Sequence, residues 1–447
     1  MQALLSMRKS LDRDKRYIAR HGEIYLLRLP LPRQPDDPPG WPVTSGKVVM
    51  VSSPEILREI FTTAAPSLAG GEGRRFTEWV LGRQSLMVLD GAEHIEERRA
   101  LLSLFTPERL ARAETVMREQ ADRFLSRLPE SGQLQLATLL DEIVPEISSR
   151  LMFGAVDLDL VARLRDGALR GFNSVAWSVP VLIFPWLRRD LGPLSPGGKA
   201  ARILAEFRAI VARQAGLVQS GATPEECWLS GLLALEKGSE TPDTIERRVS
   251  RVLTLFGAAD VPAAALMWCF YHLLRNPDVL ARAQEEARAE GPGPVDARPY
   301  LEAICKESLR IHTPVAVLTR RVTAPVSLGG YRLEPGTYVV GSIIMAHRRP
   351  ESFPEPECFR PERFLERSYS PFEYLPFGGG ARRCLGQAIG FRQMAIVLAA
   401  LLRSFDLRPE GSYRFGVTRR AIIFLPKTPL PVRFRRVAPL ATRVPPE

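Results

Sequence analysis

One cysteine lies in a glycine-rich, basic stretch of the sequence, Phe377 to Gly386, which reads F-G-G-G-A-R-R-C-L-G. From Gln387 onward, apolar residues recur every three or four positions, which predicts a buried helix. Cys384 would then lie at a helix N-terminus, where the helix dipole and free amides favour a thiolate, and we interpret it as a metal ligand. The glycines permit close approach to a flat ligand, and Arg382 can bind carboxylates at the edge of that ligand.

The alternatives for this stretch are a phosphate-binding loop and an ordinary buried cysteine beside a basic turn. A phosphate loop carries Gly-Lys-Ser/Thr after its glycines, which this stretch lacks. The stretch instead resembles the haem-binding signature of the cytochrome P-450 family, F-x-x-G-x-R-x-C-x-G. Its positions are filled by Phe377, Gly380, Arg382, Cys384 and Gly386. The resemblance implies haem b as cofactor, with Cys384 as the proximal ligand of the iron.

A second motif places His94 and Arg98 four residues apart on one face of a predicted helix. Taken alone, the pair fits a solvated helix N-terminus. The family resemblance implies instead that both residues hold a haem propionate. It also implies a second propionate ligand at Arg320 or Arg321. Counting along the family pattern from Arg310 favours Arg320, and the adjacent arginine stays open.

Glu307 and Arg310 stand three apart on another predicted helix, Pro299 to His312. An isolated E-x-x-R is usually a surface ion pair. Here it is followed by Arg363 and then by Cys384, in the order of the family. The resemblance implies that Glu307, Arg310 and Arg363 form a buried charged triad with a structural role, because a buried bidentate network fixes geometry.

A long apolar helix is predicted to begin at Thr241 and to run to about Arg275, with a threonine cap and a proline at its first position. Residues 252–274 are apolar enough to suggest a transmembrane segment. The positions of Asp260 and Pro262 favour instead a helix through the centre of a soluble protein.

This helix resembles the central helix of the family, which crosses the oxygen side of the haem. Asp260 keeps the acid that family members carry there, but Val261 replaces the usual proton-relaying threonine. Valine neither donates nor accepts a proton, so delivery must use Asp260, ordered water or a substrate hydroxyl. Pro262 lacks an N–H for the carbonyl of Ala258, which predicts a kink and a free carbonyl that anchors a water. The alternative is that Pro262 only bends the helix around the core.

Several apolar residues are candidate walls of a substrate pocket: Phe76, Trp79, Ala258, Val261, Val315, Val317 and Ile422. The connector at residues 173–186 is also strongly apolar, and the resemblance implies that it forms a lid over the substrate channel. These features favour a terpenoid, steroid, fatty-acyl or polyketide substrate.

Strands are predicted around a small β region. They are Glu23–Leu29 with Lys47–Val51, a hairpin of Val326–Leu333 with Thr337–Ile344, and a closing hairpin of Arg419–Leu425 with Pro431–Arg435. The sequence therefore predicts a mainly α protein with a small β region, the cytochrome P-450 fold. We expect a single domain over residues 1–447, with its core at about 20–436 and a flexible tail at 437–447, and a monomer.

The formal net charge is +11, and its arginines are spread along the whole chain. This distribution argues against nucleic-acid binding and favours a basic surface for an acidic electron-donor protein. The five cysteines are odd in number and widely spaced, as expected in a reducing compartment. The N-terminus is too short in apolar length for a signal peptide or membrane anchor, which predicts a cytoplasmic protein.

The resemblance implies a monooxygenase of secondary metabolism that hydroxylates or epoxidises a hydrophobic small molecule with O2. No flavin or iron–sulfur motif is present, so electrons would come from a ferredoxin and its reductase or from a flavodoxin-type donor. One alternative is a peroxide-dependent or rearranging enzyme of the same fold, which tolerates Val261 and Pro262. The others are a haem sensor without catalysis and a cysteine enzyme without haem.

Overall fold

The structure is a computed structural model that describes most of the chain. It covers residues 22–32, 43–154, 157–171, 184–222, 227–236, 240–289, 298–411, 413–420 and 422–437, together with positions 16, 18, 20 and 181. Most of residues 1–20, most of the predicted lid at residues 173–186 and nearly all of the predicted tail at residues 437–447 lie outside the described residues.

Helices dominate the part of the chain that the structure describes. In chain order they are α1 (Pro54–Phe61), α2 (Glu78–Leu81), α3 (Gly91–Leu102), α4 (Pro107–Ser126), α5 (Leu136–Phe153), α6 (Leu158–Arg163), α7 (Pro196–Gln219), α8 (Trp228–Ala234), α9 (Pro242–Phe256), α10 (Asp260–Leu273), α11 (Pro277–Ala289), α12 (Pro299–Ile311), α13 (Ile343–Ala346), α14 (Arg363–Glu366) and α15 (Gln387–Ser404).

The strands are short and form small sheets. They are β1 (Ile24–Pro32), β2 (Val43–Val51), β3 (Leu68–Ala69), β4 (Ser131–Gln135), β5 (Val317–Val322), β6 (Val326–Leu328), β7 (Tyr331–Leu333), β8 (Tyr338–Ser342), β9 (Phe405–Pro409), β10 (Val417–Arg420), β11 (Ile423–Pro426) and β12 (Pro431–Arg436). The predicted mainly α fold with a small β region is therefore confirmed.

The main hydrophobic core surrounds α10, which packs against α5, α12 and β11. Nearly every side chain of α10 is buried, so this helix is apolar on all its faces rather than amphipathic. The segment Pro242–Leu273, taken as a whole, is long and apolar enough to cross a membrane, but 67% of its most apolar window is buried inside the protein. Its burial explains its composition as that of a core helix.

The first turn of this segment forms at the residues that the sequence predicted. Thr241 caps α9 by accepting from the amide of Thr244 at 3.2 Å, and the Thr244 hydroxyl accepts in return from the amide of Thr241 at 2.8 Å. Pro242 occupies the first helical position, where its missing N–H would be unsatisfied in any case. The predicted N-terminus of the central helix is confirmed.

The helix is interrupted at residues 257–259 rather than kinked at Pro262. The Ala259 amide donates to the Phe256 carbonyl and the Val261 amide to the Ala258 carbonyl, both tightened three-residue contacts. Pro262 then falls in the first turn of α10, where amides have no intrahelical partner and a proline costs little. The prediction of a free Ala258 carbonyl is wrong, because that carbonyl accepts the Val261 N–H at 3.0 Å.

The five-stranded sheet has the order β1-β2-β8-β5-β3. Strand β8 was expected to form a hairpin with residues 326–333, but it pairs parallel to β2 and antiparallel to β5. Gly329 and Gly330, both at positive φ, close a separate hairpin of β6 and β7 instead. The predicted pairing around Pro335 is therefore wrong, although both stretches do contain strands.

The predicted closing hairpin is also paired differently. β10 pairs with β11, with Arg420 opposite Ile423, whereas β12 lies between β4 and β9 in a three-stranded sheet. The β10–β11 hairpin is fixed close to its turn, because the Trp268 indole N–H donates to the Phe424 carbonyl at 3.0 Å. The Phe424 amide in turn donates to the Pro314 carbonyl at 2.9 Å. These bonds join the hairpin to α10 and to the segment before β5.

Two buried histidines connect α10 to the end of α12. His272 Nε2 and His312 Nδ1 are 2.8 Å apart, and the indole of Trp268 stacks on His312 with ring centroids separated by 3.9 Å. Burial, followed by the positive charge of Arg275, lowers the pKa of His272 to about 3. Burial and His272 also lower the pKa of His312 well below its usual value. Both imidazoles are neutral in the folded protein near pH 7.

We therefore predict that the protein loses stability as the pH falls below about 6.5. The unfolded chain binds protons on these histidines near their ordinary pKa of 6.5, and the folded chain does so only near pH 3 for His272. At pH 5, keeping one imidazole neutral costs about 2 kcal/mol of unfolding free energy. Urea unfolding at pH 7 and pH 5 measures the loss, which should be smaller in the double variant His272→Gln, His312→Asn. Equal losses in both proteins would contradict it.

Candidate functional site

The cysteine loop, residues 377–386, is closed by its own backbone. The Cys384 amide donates to the Phe377 carbonyl at 2.9 Å, and the Arg383 amide donates to the Gly380 carbonyl at 3.1 Å. Gly380 has a φ of 64°, which glycine adopts readily. At Gly379, a Cβ atom would lie 2.6 Å from the ring of Phe61, so the loop also needs glycine for close packing against α1.

Cys384 is exposed on the surface of this loop, two residues before the N-cap of α15. The protein around the sulfur still desolvates it, which raises the pKa of the Cys384 thiol. The amide of Gly386, which hydrogen-bonds the sulfur, and the charge of Arg98 both oppose this effect. The expected stabilisation of a thiolate is therefore present, but burial outweighs it. A metal ion would displace the thiol proton on binding.

Five cationic or basic side chains form what we call the arginine cluster: Arg74, His94, Arg98, Arg320 and Arg382. The predicted residues His94 and Arg98 lie on α3 and Arg320 on β5, and the chain brings them together with Arg382 of the cysteine loop. Burial and then Arg382 lower the pKa of His94 to about 4, so its imidazole is neutral at pH 7. Burial and then Arg74 lower the pKa of Arg320 to about 9.

Arg74 was not predicted as a site residue. It lies in the 3-10 helix Glu72–Thr77, and burial followed by repulsion from Arg382 lowers its pKa to about 10. No sequence motif identifies Arg74, because nothing in the sequence distinguishes the environment of Arg74 from that of the adjacent Arg75. In the structure Arg75 pairs with Glu72 at 2.6 Å on the exposed side, whereas Arg74 is turned into the cluster.

Asp90 is the acidic residue that holds this region together. Its carboxylate accepts from three successive amides, those of Gly70 and Gly71 at 3.0 Å and that of Glu72 at 2.8 Å. It also contacts the guanidinium of Arg382, which bonds the carbonyls of Leu86 and Leu89 in addition. Asp90 precedes α3 but makes no side-chain cap hydrogen bond there. The Gly70-Gly71 doublet was the available signal, because a Cβ at either position would clash with these partners.

The two arginines on β5 have different surroundings. Arg320 interacts electrostatically with Arg74, Arg382 and Asp90. Its neighbour Arg321 instead forms an ion pair with Glu72 at 3.4 Å. Successive residues of a strand point to opposite faces, which explains the separation. Between the two alternatives left open by the sequence, the geometry favours Arg320 as a member of the cluster.

Glu307, Arg310 and Arg363 form one fully buried network. Arg310 donates to both carboxylate oxygens of Glu307, at 2.7 and 2.9 Å, and Arg363 Nε donates to Glu307 at 3.0 Å. Arg310 also donates to the carbonyl of His347 at 2.8 Å, and His347 Nε2 accepts the amide of Leu375 at 2.9 Å. The network thus runs from α12 to the segment immediately before the cysteine loop.

The candidate residues of the central helix have separate surroundings. Asp260 is the first residue of α10, is only 2% exposed, and lies 3.5 Å from Arg420 of β10. Val261 is partly buried against the main core. Ala258 lies in the interruption between α9 and α10, with its carbonyl engaged by Val261.

The remaining pocket candidates are not all alike. Trp79 and Val315 are half-buried, whereas Val317 and Ile422 are exposed apolar residues. Val317 begins β5, the strand that carries Arg320, and Ile422 lies in the turn of the β10–β11 hairpin. The side chain of Phe76 lies outside the described residues. Phe377 is half-buried and packs against the main core.

The arginine cluster and Cys384 can be compared with what a flat metal cofactor with carboxylate groups would need for binding. Four buried or partly buried arginines lie around Asp90, and each lowers the pKa of at least one neighbour. Such a cluster favours the binding of further anions, which two carboxylates supply. Cys384 provides one soft ligand, and the described residues hold no group of three or more His, Cys, Asp or Glu side chains that binds a metal alone. The residues fit haem, a porphyrin with an axial thiolate.

Comparison with known proteins agrees with this fit. The sequence matches the cytochrome P-450 family over residues 31–430. It is 30% identical over 397 residues to cytochrome P-450 135A1 of Mycobacterium tuberculosis, covering 88% of this chain and 83% of that protein. It is 28% identical over 440 residues to cytochrome P-450 135B1 of Mycobacterium bovis, covering 97% and 89%.

The fold is similar to that of retinoic acid bound cyanobacterial CYP120A1. The TM-score is 0.80 at 22% sequence identity, and the match covers 95% of this chain and 94% of that one. The chain belongs to the cytochrome P-450 family. Membership implies a haem cofactor and, in general terms, the activity of a haem-thiolate monooxygenase that uses redox partners and a hydrophobic substrate.

We predict that Arg320→Gln weakens cofactor retention and that Arg321→Gln does not. Only Arg320 contributes to the arginine cluster, and a charge-assisted hydrogen bond to a carboxylate contributes about 1.5–3 kcal/mol. The measurement is haem transfer to an excess of apomyoglobin, which should be roughly tenfold faster for Arg320→Gln. Faster loss from Arg321→Gln alone would assign the contact to the other arginine.

Proposed function

We propose that this protein is a monooxygenase that hydroxylates or epoxidises a hydrophobic small molecule, with haem b bound through Cys384. The observation that carries the proposal is that the Cys384 sulfur lies beside a cluster of buried arginines. The sulfur accepts a hydrogen bond from the Gly386 amide, and Arg98 of the cluster is its neighbour. When bound, the haem supplies dioxygen activation, and its axial thiolate favours O–O cleavage.

The protein's own contribution begins with holding the cofactor. Arg98, Arg320 and Arg382, with neutral His94, would bind the propionates, and Arg74 adds a further cation. The amide of Gly386 donates to the sulfur and lowers its electron density, which moderates the effect of the thiolate. Phe377, Gly380 and Gly386 shape the loop around the sulfur. The network of Glu307, Arg310 and Arg363 keeps that loop in place.

Proton delivery would depend on Asp260, since Val261 has no hydroxyl. Asp260 is buried and ion-paired with Arg420, which keeps its carboxylate ordered. Water and Asp260 together would then replace the usual threonine hydroxyl.

Electrons would enter from a separate donor protein, a ferredoxin with its reductase or a flavodoxin-type protein. A groove of about 320 Å³ lies against the cysteine loop, with Phe61, Lys306, Phe377, Arg383 and Phe391 among its lining residues. The arginine cluster lies outside this groove. The aromatic side chains and the two cations that line the groove suit a donor that presents acidic and apolar side chains.

The substrate would be of terpenoid, steroid, fatty-acyl or polyketide type. The apolar character of Trp79, Val261, Val315, Val317 and Ile422 supports this class. We propose that residues 1–447 form one domain and act as a monomer in the cytoplasm. A role in secondary metabolism is part of the same proposal.

The first test is the carbon monoxide difference spectrum of the reduced holoenzyme. We predict the strongly red-shifted Soret band of a thiolate-bound haem, lost in Cys384→Ser. Cys358→Ser is the matched control, because Cys358 is also exposed but lies outside the cysteine loop. A histidine-type band in the wild type, or loss of the band in both variants, would contradict the assignment of Cys384.

A second candidate is a peroxide-dependent or rearranging enzyme, which the replacement of threonine by Val261 favours. Such a reaction needs no protons for dioxygen reduction. We predict for the monooxygenase that a ferredoxin with its reductase supports oxidation of an apolar probe, dodecanoic acid or limonene. The matched variant Val261→Thr restores a hydroxyl and should raise product yield per electron. Turnover of the same probes with hydrogen peroxide alone, unaffected by Val261→Thr, would favour the second candidate.

A further inference from the structure

The β10–β11 hairpin carries two successive arginines that lie on different faces. In the register of the hairpin, Arg419 is opposite Phe424 and Arg420 is opposite Ile423. Residues that are directly opposite each other in an antiparallel pair share a face, and successive residues alternate between the faces. Arg419 therefore shares one face with Phe424, and Arg420 shares the other with Ile423.

The packing of the opposite residues agrees with this division. Ile423 belongs to the main core, on the face where Arg420 donates to both oxygens of Asp141. Phe424 belongs instead to a small apolar cluster, whose other buried members are Ala316, Ile344 and Met345. None of the described members of this small apolar cluster is acidic. The side chain of Arg419 therefore lies on an apolar face, whereas that of Arg420 meets an acid.

Arg419 carries a charge that no described residue compensates. Within the part of the chain that the structure describes, its guanidinium has no hydrogen bond and no ion pair. The side chain is half-buried, and burial alone lowers its pKa. Burial also lowers the pKa of Arg420, but hydrogen bonds and charge pairing with Asp141 and Asp260 outweigh it. A partly desolvated guanidinium without an acid favours the binding of an external anion.

The apolar face of the hairpin adjoins candidate walls of the substrate pocket. The Phe424 amide donates to the Pro314 carbonyl at 2.9 Å, and Val315 and Val317 follow directly in the chain. Val317 is 40% exposed, and Ile422 in the turn of the hairpin is 39% exposed. Exposed apolar surface and an uncompensated cation thus occur together at this end of the hairpin.

We propose that Arg419 binds a carboxylate of the substrate, so that the substrate is a hydrophobic carboxylic acid. This inference rests on the proposed function, because it narrows the substrate class of the same pocket. The planar guanidinium of arginine binds a carboxylate through two parallel hydrogen bonds, whereas an alcohol or a hydrocarbon leaves its charge uncompensated. The apolar chain of the acid would lie against Val317 and Ile422. Free fatty acids and acidic terpenoids meet this requirement.

An arginine on an apolar face can also act through its stem alone. The methylene groups of Arg419 would then cover the small apolar cluster while the guanidinium stays in water. In that case, replacing Arg419 changes the affinity for every ligand of the same chain length equally. A carboxylate-binding role makes the effect depend on the head group of the ligand.

Equilibrium dialysis of the holoenzyme against radiolabelled dodecanoic acid and dodecanol separates these roles, because the two ligands differ only in the head group. We expect the wild type to bind the ionised acid about tenfold more tightly than the alcohol. Arg419→Gln should weaken binding of the acid by about tenfold and leave binding of the alcohol unchanged, which also shows that the variant is folded. Arg419→Lys keeps the charge and should retain part of the preference for the acid.

The matched control is Arg414→Gln, which removes the same charge from an exposed position three residues before β10. It should change neither affinity. Equal affinities of the wild type for acid and alcohol, or equal losses of both in Arg419→Gln, would overturn the proposal. An equal loss of acid binding in Arg414→Gln would also overturn it, because the attraction would then be that of net charge alone.

The carbon monoxide difference spectrum of the same preparations distinguishes the failure of this inference from the failure of the proposed function. A thiolate-type band in a wild type that shows no preference for the acid rejects the role of Arg419 alone. A wild type without that band rejects the proposed function itself.

Discussion

The concentration of positive charge beside Cys384 is the constraint on which the rest of the structure depends. This charge belongs to four arginines from separate segments, Arg74, Arg98, Arg320 and Arg382. Asp90 is the acid that interacts electrostatically with this cluster. Such an arrangement is stable only if the backbone holds it and an anionic ligand compensates it. The cofactor implied by the family supplies two carboxylates, so ligand binding and folding of this region are coupled.

The same region favours the protonated form of the cysteine when no metal is bound. Burial raises the pKa of Cys384, and one amide together with one partly buried arginine does not reverse this effect. A thiolate therefore forms on metal binding rather than before it, which protects the free thiol from unwanted reactions. The backbone bond from Cys384 to Phe377 and the packing of Gly379 against Phe61 hold the sulfur in one place meanwhile.

Local signals in the sequence were sufficient for some of these features. The fold class, the Thr241 cap and the last helix follow from patterns within a few residues. Strand pairing could not be read in this way, since β8 has partners on β2 and β5 that are distant in sequence.

The site shows the same division between local and long-range information. His94 and Arg98 belonged to a motif, whereas Arg74 and Asp90 acquire their roles only when residues 70–74 meet the cysteine loop. The choice between Arg320 and Arg321 depended on which face of β5 meets the cluster, which the sequence alone did not decide. The family resemblance implied the cofactor, whereas Arg74 and Asp90 were identified only from the structure.

The central helix shows how one substitution changes the demands on its neighbours. A valine at position 261 removes a hydroxyl, and the break at residues 257–259 uses the carbonyl that a kinked helix would have left free. The remaining acid, Asp260, is only 2% exposed and lies 3.5 Å from the guanidinium of Arg420. Arg420 also donates to both oxygens of Asp141 on α5, so the loss of the hydroxyl at position 261 leaves on α10 an acid that one guanidinium links to a second helix.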